Sequence, residues 1–253
     1  MTLRERWRLP ICSALLYTLA FNLTFFIQEL FLVVPKALTP GLRPTLFHNN
    51  HTWEGQHPLA SLFQGTGALA TVISGIVCLL LLRGDRIRSP TARLLLIWMA
   101  YHGIFQALPQ VVMGAFIPGN DVGMAMDYFH MSKAAKWVAA VAALVAIAPI
   151  AARLARHLLG LSPSLLRVAT VPAIAAIPLI VAFRVPREAI EVLLPPVLVT
   201  IVGLTAIHLT AWRVSSVIET RGPQPVSIAY PLVGVVALLL VFQLLLRPGV
   251  PFY

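Results

Sequence analysis

Seven apolar runs divide this chain from end to end, each close to 20 residues long and each closed by arginines, prolines or a polar loop. They lie near residues 10–35, 59–82, 94–117, 133–153, 165–183, 190–212 and 227–246. A run of that length, rising about 1.5 Å per residue as an α-helix, crosses the roughly 30 Å hydrocarbon layer of a bilayer. The runs lack the period-two alternation of barrel strands, and in lipid only helices and closed barrels satisfy their own backbone polar groups. The expected fold is therefore all-α, a polytopic membrane protein of seven transmembrane helices with the lipid bilayer as its first partner. Composition agrees: 58% of the 253 residues are hydrophobic and 11% are charged, against about 25% charged in an average soluble domain.

The formal charge of +10 does not point to nucleic acid. The basic residues sit at the ends of apolar runs and form no basic block interleaved with aromatics, so they read as topology signals. With the N-terminus cytoplasmic, Arg4, Arg6, Arg8, Arg83, Arg86, Arg88, Arg93, Arg153, Arg156, Arg167, Arg213 and Arg221 fall on the cytoplasmic side, twelve of the 19 basic residues. Lys36, Arg43, Lys133, Lys136, Arg184, Arg187 and Arg247 fall on the other. The positive-inside bias thus predicts N-in and C-out, with a bacterial inner (plasma) membrane as the expected location. The opening MTLRERWRLPICSALLYTLAF has a signal-like basic start, but its apolar stretch runs to about Val34 without a clear cleavage site, which predicts a retained first span. Cys12 and Cys78 lie inside apolar runs, as packing residues do, and support no disulfide framework or thiolate metal site.

No loop is long enough to fold alone, so residues 1–253 form one expected membrane domain. It has two unlike parts. Residues 1–132 carry nearly all the unusual polar groups and are the expected site of any chemistry, whereas 133–253 read as an apolar helical scaffold. Pro172, Pro178, Pro195 and Pro196 interrupt two of its helices and read as packing kinks.

Ionisable groups inside a bilayer are costly, so each is a functional candidate. In FNLTFFIQELFLVVP, Glu29 shares a helical face with Thr18, Asn22 and Phe25. In MAYHGIFQALPQVVMG, His102, Gln106 and Gln110 follow at i, i+4 and i+8. Two such stripes invite a polar site lined by Asn22, Gln28, Gln106 and Gln110, with interhelical hydrogen bonding as the simpler use of the same residues. The loop LTPGLRPTLFHNNHTWEGQHP holds His48, His51, Glu54 and His57, side chains able to ligate a divalent metal such as zinc. An ordered interfacial cap with Trp53 near the headgroups is the alternative. In IPGNDVGMAMDYFHMS, turn chemistry at Pro118-Gly119-Asn120 precedes Asp121, Asp127 and His130 on the same expected membrane side. Asp121 suits either metal binding or capping of a following helix.

The order of these features over residues 20–132 resembles the site-2-type intramembrane metalloproteases. That family places a His-Glu-x-x-His helix before a small-residue-rich helix start and a later Pro/Gly segment bearing a metal-binding Asp. Here the counterparts are Gln28-Glu29-Leu30-Phe31-Leu32, GTGALATVISGIVCLLLLR and PGNDVG. The resemblance implies Glu29 as general base and Asp121 as third metal ligand. Gln28 and Leu32 stand where the two histidines belong, so it also implies a degenerate zinc site.

Three functions remain open. The first is a metallohydrolase-like or degenerate protease-like scaffold, with catalytic Glu29 and a metal held by His48, His51, His102 and Asp121. The second is a binding or transport protein for a lipid, ion or small solute. The third is a noncatalytic subunit that partners other membrane proteins.

Overall fold

A computed structural model describes residues 3–84, 87–117, 119–214 and 225–253, with side chains from Trp7 onward. Arg86, Pro118 and Arg221, and the side chains of Arg4 and Arg6, lie outside the described residues.

All seven expected spans are helices, and the chain is an all-α polytopic membrane protein. They are α1 (Leu3–Ala37), α2 (Leu59–Leu81), α3 (Pro90–Phe116), α5 (Lys133–Leu161), α6 (Val171–Arg184, entered through a wide turn at Leu166–Thr170), α7 (Ala189–Ala211) and α8 (Ala229–Leu240, continued by a wide turn at Val241–Leu246). The short helix α4 (Asp121–Tyr128) lies between α3 and α5. The span expected to end at 153 runs on to Leu161, because Arg153, Arg156 and His157 are compatible with a helix and no breaker comes before Ser162-Pro163.

The loop after α1 is not irregular. It forms a hairpin of β1 (Arg43–Leu46) and β2 (His51–Glu54), and the C-terminal β3 (Val250–Pro251) adds to the other edge, giving the order β2-β1-β3. Both pairings are antiparallel, with Leu46 opposite His51 on one side and Val250 on the other. This sheet ties the end of the seventh span to the end of the first. The two therefore emerge on one face, and an odd number of crossings leaves the N-terminus on the opposite face.

Small residues let the polar ends of the helices meet. A side chain at Gly67 would lie 2.8 Å from Gln28 Cγ and from Leu32 Cγ, and one at Gly65 would lie 2.7 Å from Ala125 Cβ. The glycine pair of GTGALA thus brings α2 against α1 on one side and α4 on the other, drawing α4 toward Glu29. Deeper in the bundle, Tyr17, Trp98 and Tyr101 pack edge to edge between α1 and α3. Tyr101 donates to Val199 O at 2.9 Å, and its ring occupies the space beside Gly203. That contact closes α7 onto α3 at depth.

Prolines free carbonyls that neighbouring elements then use. Pro35 has no N–H for Phe31 O, which accepts from Thr66 Oγ1 instead. Pro195 likewise leaves Glu191 O without a helical donor, and Arg184 donates to it through Nε at 3.2 Å and Nη2 at 3.0 Å.

Candidate functional site

A cavity of about 230 Å³ lies between α1, α3, α7 and the start of α4. Phe21, Phe25 and Gln28 recur at helical spacing on one face of α1, and α3 supplies Phe105, Gln106, Pro109, Gln110 and Met113. Leu194, Pro195, Leu198 and Val199 of α7 form the remaining side wall, so residues 1–132 alone do not build this site. Asn120 and Asp121 complete it.

The lining is graded along the membrane normal. Phe21, Phe105 and Val199 mark the inner end, and Gln28, Gln110, Asn120 and Asp121 the end toward the sheet, about 10 Å further along α1. On α7, Leu194 is 51% exposed and Leu198 36% exposed, so this wall also faces outward. In a bilayer, that side of the cavity meets lipid.

The stripes of α1 and α3 do meet. Gln110 Nε2 donates to Gln28 Oε1 at 3.0 Å and to Gln106 O at 3.0 Å. Gln106 Nε2 donates to Phe21 O at 3.3 Å, which leaves Gln106 Oε1 buried without a partner. Asn22, expected among the lining residues, is not part of the wall. Its amide turns back to Thr18 O at 2.8 Å, the local bond a short polar side chain makes within its own helix.

Asp121 does not cap α4. Asn120 does, its Oδ1 accepting from Val122 N at 3.0 Å and Gly123 N at 3.2 Å, which leaves the Asp121 carboxyl at the cavity. Burial pushes that carboxyl above its usual range and the nearby Glu29 charge adds to the rise, while His51 and Lys36 oppose it.

Behind this end lies a buried ionic chain. Glu29 Oε2 meets His51 Nδ1 at 2.8 Å, and His51 Nε2 meets Lys36 Nζ at 3.1 Å. Lys36 is fully buried and also donates to Leu32 O at 2.9 Å and Gln64 Oε1 at 3.0 Å. An ammonium only donates, so His51 Nε2 accepts from Lys36 and the ring proton sits on Nδ1, donated to Glu29. Trp53 covers this chain, its ring 4.6 Å from Lys36 Nζ and stacked on His51. Across the cavity wall, the Arg184 guanidinium lies 4.6 Å from the ring of Phe25.

The proposed metal set does not assemble. Among the described residues, no three His, Cys, Asp or Glu side chains are placed to hold one ion. His51 is committed to Glu29 and Lys36. His48 sits in the hairpin turn and faces the α6–α7 connection, 3.4 Å from Arg184 O. Burial holds its ring below the usual histidine value; the bond to Arg184 O opposes this, and the charges of Arg187, Arg247 and Arg184 reinforce it. His102 is completely buried, edge-on to Tyr17, Phe21 and Tyr101, with no hydrogen-bond partner at either ring nitrogen. Each i, i+4 step turns about 40° around a helix, so His102 is swung about 80° away from Gln110. That rotation carries it from the cavity into the aromatic core.

Reading the basic residues only as topology signals missed Lys36 and Arg184. The available signal was a lysine inside an apolar run seven residues after Glu29, a spacing that returns to the same helix face.

Fold and site together define a polytopic helical membrane protein with a polar-ended cavity open toward its lipid-facing surface. The chain matches no protein-family model, and neither a curated protein nor a solved structure matches it.

Proposed function

We propose that this protein is a membrane-embedded binding protein that takes an amphipathic molecule from the bilayer. The observation that carries this reading is the graded cavity: an apolar wall of Phe21, Phe25, Phe105, Leu194 and Leu198 leads to a polar end at Gln28, Gln110, Asn120 and Asp121. At about 230 Å³ it is smaller than the roughly 300–1,000 Å³ of a typical ligand pocket. It holds a head group and a short length of chain, and the remainder lies along the exposed face of α7. The buried Glu29–His51–Lys36 chain serves to position the polar end.

The resemblance to site-2-type proteases fits the same reading in a noncatalytic form. On that scaffold Glu29 and Asp121 would occupy the positions of base and acidic ligand. Gln28 bonds Gln110 and Leu32 packs in the core, so the histidine positions are put to other uses. Native mass spectrometry of the purified protein tests binding. Wild type retains a small amphipathic molecule, and Leu198→Trp, which fills the cavity mouth, loses it; equal retention by both sinks the reading. Stoichiometric zinc in the same preparation favours the metallohydrolase alternative.

We place the N-terminus in the cytoplasm of a bacterial inner membrane, from the arginine bias, with the sheet on the opposite face. Reporters fused to the two ends are expected to report opposite sides, with the N-terminal one cytoplasmic.

A further inference from the structure

The cavity lining has a marked imbalance of charge. Of its 14 residues, Asp121 is the only ionisable one. Among the described residues its carboxyl accepts no hydrogen bond, and the backbone donors of Val122 and Gly123 at the start of α4 go to Asn120. A second group points the same way. Gln106 is 7% exposed, its amide nitrogen is used by Phe21 O, and its Oε1 is a buried acceptor without a donor. A buried acceptor left in this state carries its full desolvation cost, which a donor entering the cavity would relieve.

The nearby cations do not fill that need. Lys36 is directed away into Leu32 O, Gln64 and His51, and Arg184 is held by Glu191 O behind the ring of Phe25. Neither lines the cavity. The charges of Lys36 and His51 still reach the Asp121 carboxyl and partly offset it, whereas that of Glu29 adds to its burden. What the wall lacks is a hydrogen-bond donor carrying positive charge. The aromatic rings of Phe21, Phe25 and Phe105 also favour a cation, since a ring face attracts positive charge.

We infer that the cavity is selective for the protonated amine head of a single-chain amphiphile, with Asp121 as its counter-ion. This rests on the binding reading above and narrows it to one chemical class. A fatty acid is disfavoured because its carboxylate faces Asp121 with no basic residue in the lining. A long-chain alcohol has the donor but lacks the charge.

The test uses three photoreactive probes of equal chain length, with amine, alcohol and carboxylate heads, on the full chain in nanodiscs. Labelling is mapped by peptide mass spectrometry. The amine is expected to label the lining of α3 and α7 at least about tenfold more than either other probe, a ratio that corresponds to ~1.4 kcal/mol. Asp121→Asn removes the preference for the amine over the other two probes. Equal labelling by alcohol or carboxylate in the wild-type protein overturns the amine assignment, whatever the variant does, and leaves the binding reading standing. Absence of labelling in the lining by all three probes overturns both.

Discussion

At the residue scale, Asp121 and Lys36 are both placed at a cost, and they differ in what offsets it. Asp121 has a carboxyl pushed above its ordinary 3.8 by burial and by Glu29. A raised folded value means the folded protein binds this proton more tightly than the unfolded chain. That contribution to stability is complete below about pH 3.8 and is lost as pH rises through the folded value. Above that folded value the ionised carboxylate is therefore a liability in the empty protein. Asp121→Asn is expected to raise the melting temperature at pH 7.5, on the order of 2 °C, with the gain vanishing near pH 4. Thermal unfolding of the detergent-solubilised protein across that range checks it; a uniform gain at every pH contradicts the assignment. A residue whose removal both stabilises and weakens binding has the profile of a functional group.

Lys36 is offset by its neighbours. Replacing it with Met leaves Gln64 Oε1 and His51 Nε2 without their donor and Glu29 without the cation at the end of its chain. The expected loss is about 3 kcal/mol, typical of removing one member of a buried charged set. Adding Glu29→Gln to Lys36→Met is expected to cost less than the two single losses summed. A double-mutant cycle with strictly additive losses contradicts the coupling.

At the element scale, α7 determines whether there is a cavity at all. Its inner half is drawn onto α3 at Gly203, where an added Cβ would lie 2.3 Å from Tyr101 Oη and 2.4 Å from Cζ. Tyr101 is completely buried and bonds Val199 O, so it has no free space into which to move. Gly203→Ala is expected to destabilise by about 1–3 kcal/mol, the cost of overpacking. The double variant with Tyr101→Leu should recover part of this, measured by the same thermal unfolding. The outer half of α7 stands further off, carries Pro195 and Pro196, and is anchored by Arg184 at Glu191 O. A helix pinned at depth and held again at its entrance through Glu191 leaves a crevice between the two contacts. The prolines expected to act as packing kinks thus also supply the acceptor that holds Arg184.

At the scale of the whole molecule, the small sheet closes the structure. β3 brings the last residues back to the hairpin after α1, and Phe252 N donates to Pro44 O at 3.0 Å. Deleting residues 248–253 is expected to expose that edge of β1. Hydrogen exchange at Leu46, whose N–H faces β3, should rise by about tenfold or more as the edge opens, while Thr45, whose N–H faces β2, and the interiors of α1 and α3 keep their protection. Loss of protection throughout the bundle would instead make the strand essential to the fold.

The spans were legible because bilayer thickness imposes a length and an apolar composition that survive without knowledge of any neighbour. Observed ends fall within a few residues of the expected ones at five of seven spans; α1 begins seven residues earlier and α5 ends eight residues later, because a helix is free to continue into water. The polar stripes of α1 and α3 were legible for the same local reason, the 3.6-residue turn. Which members of a stripe meet was not, since a drift of about 40° per step sends His102 into the aromatic core and leaves Gln106 and Gln110 at the cavity. The sheet was hidden because β3 is two residues long and pairs with a segment some 200 positions earlier. The partners of Glu29 were hidden too, because a histidine in a hairpin and a lysine read as a topology marker become one ionic chain only when β2 folds over the end of α1. By itself the sequence determined an all-α membrane protein and the polar residues it can least easily bury. Tertiary packing decided that Asp121 stands beside an apolar cavity and that, among the described residues, no three His, Cys, Asp or Glu side chains converge on one point, because the directions of side chains, unlike the lengths of helices, depend on what stands opposite them.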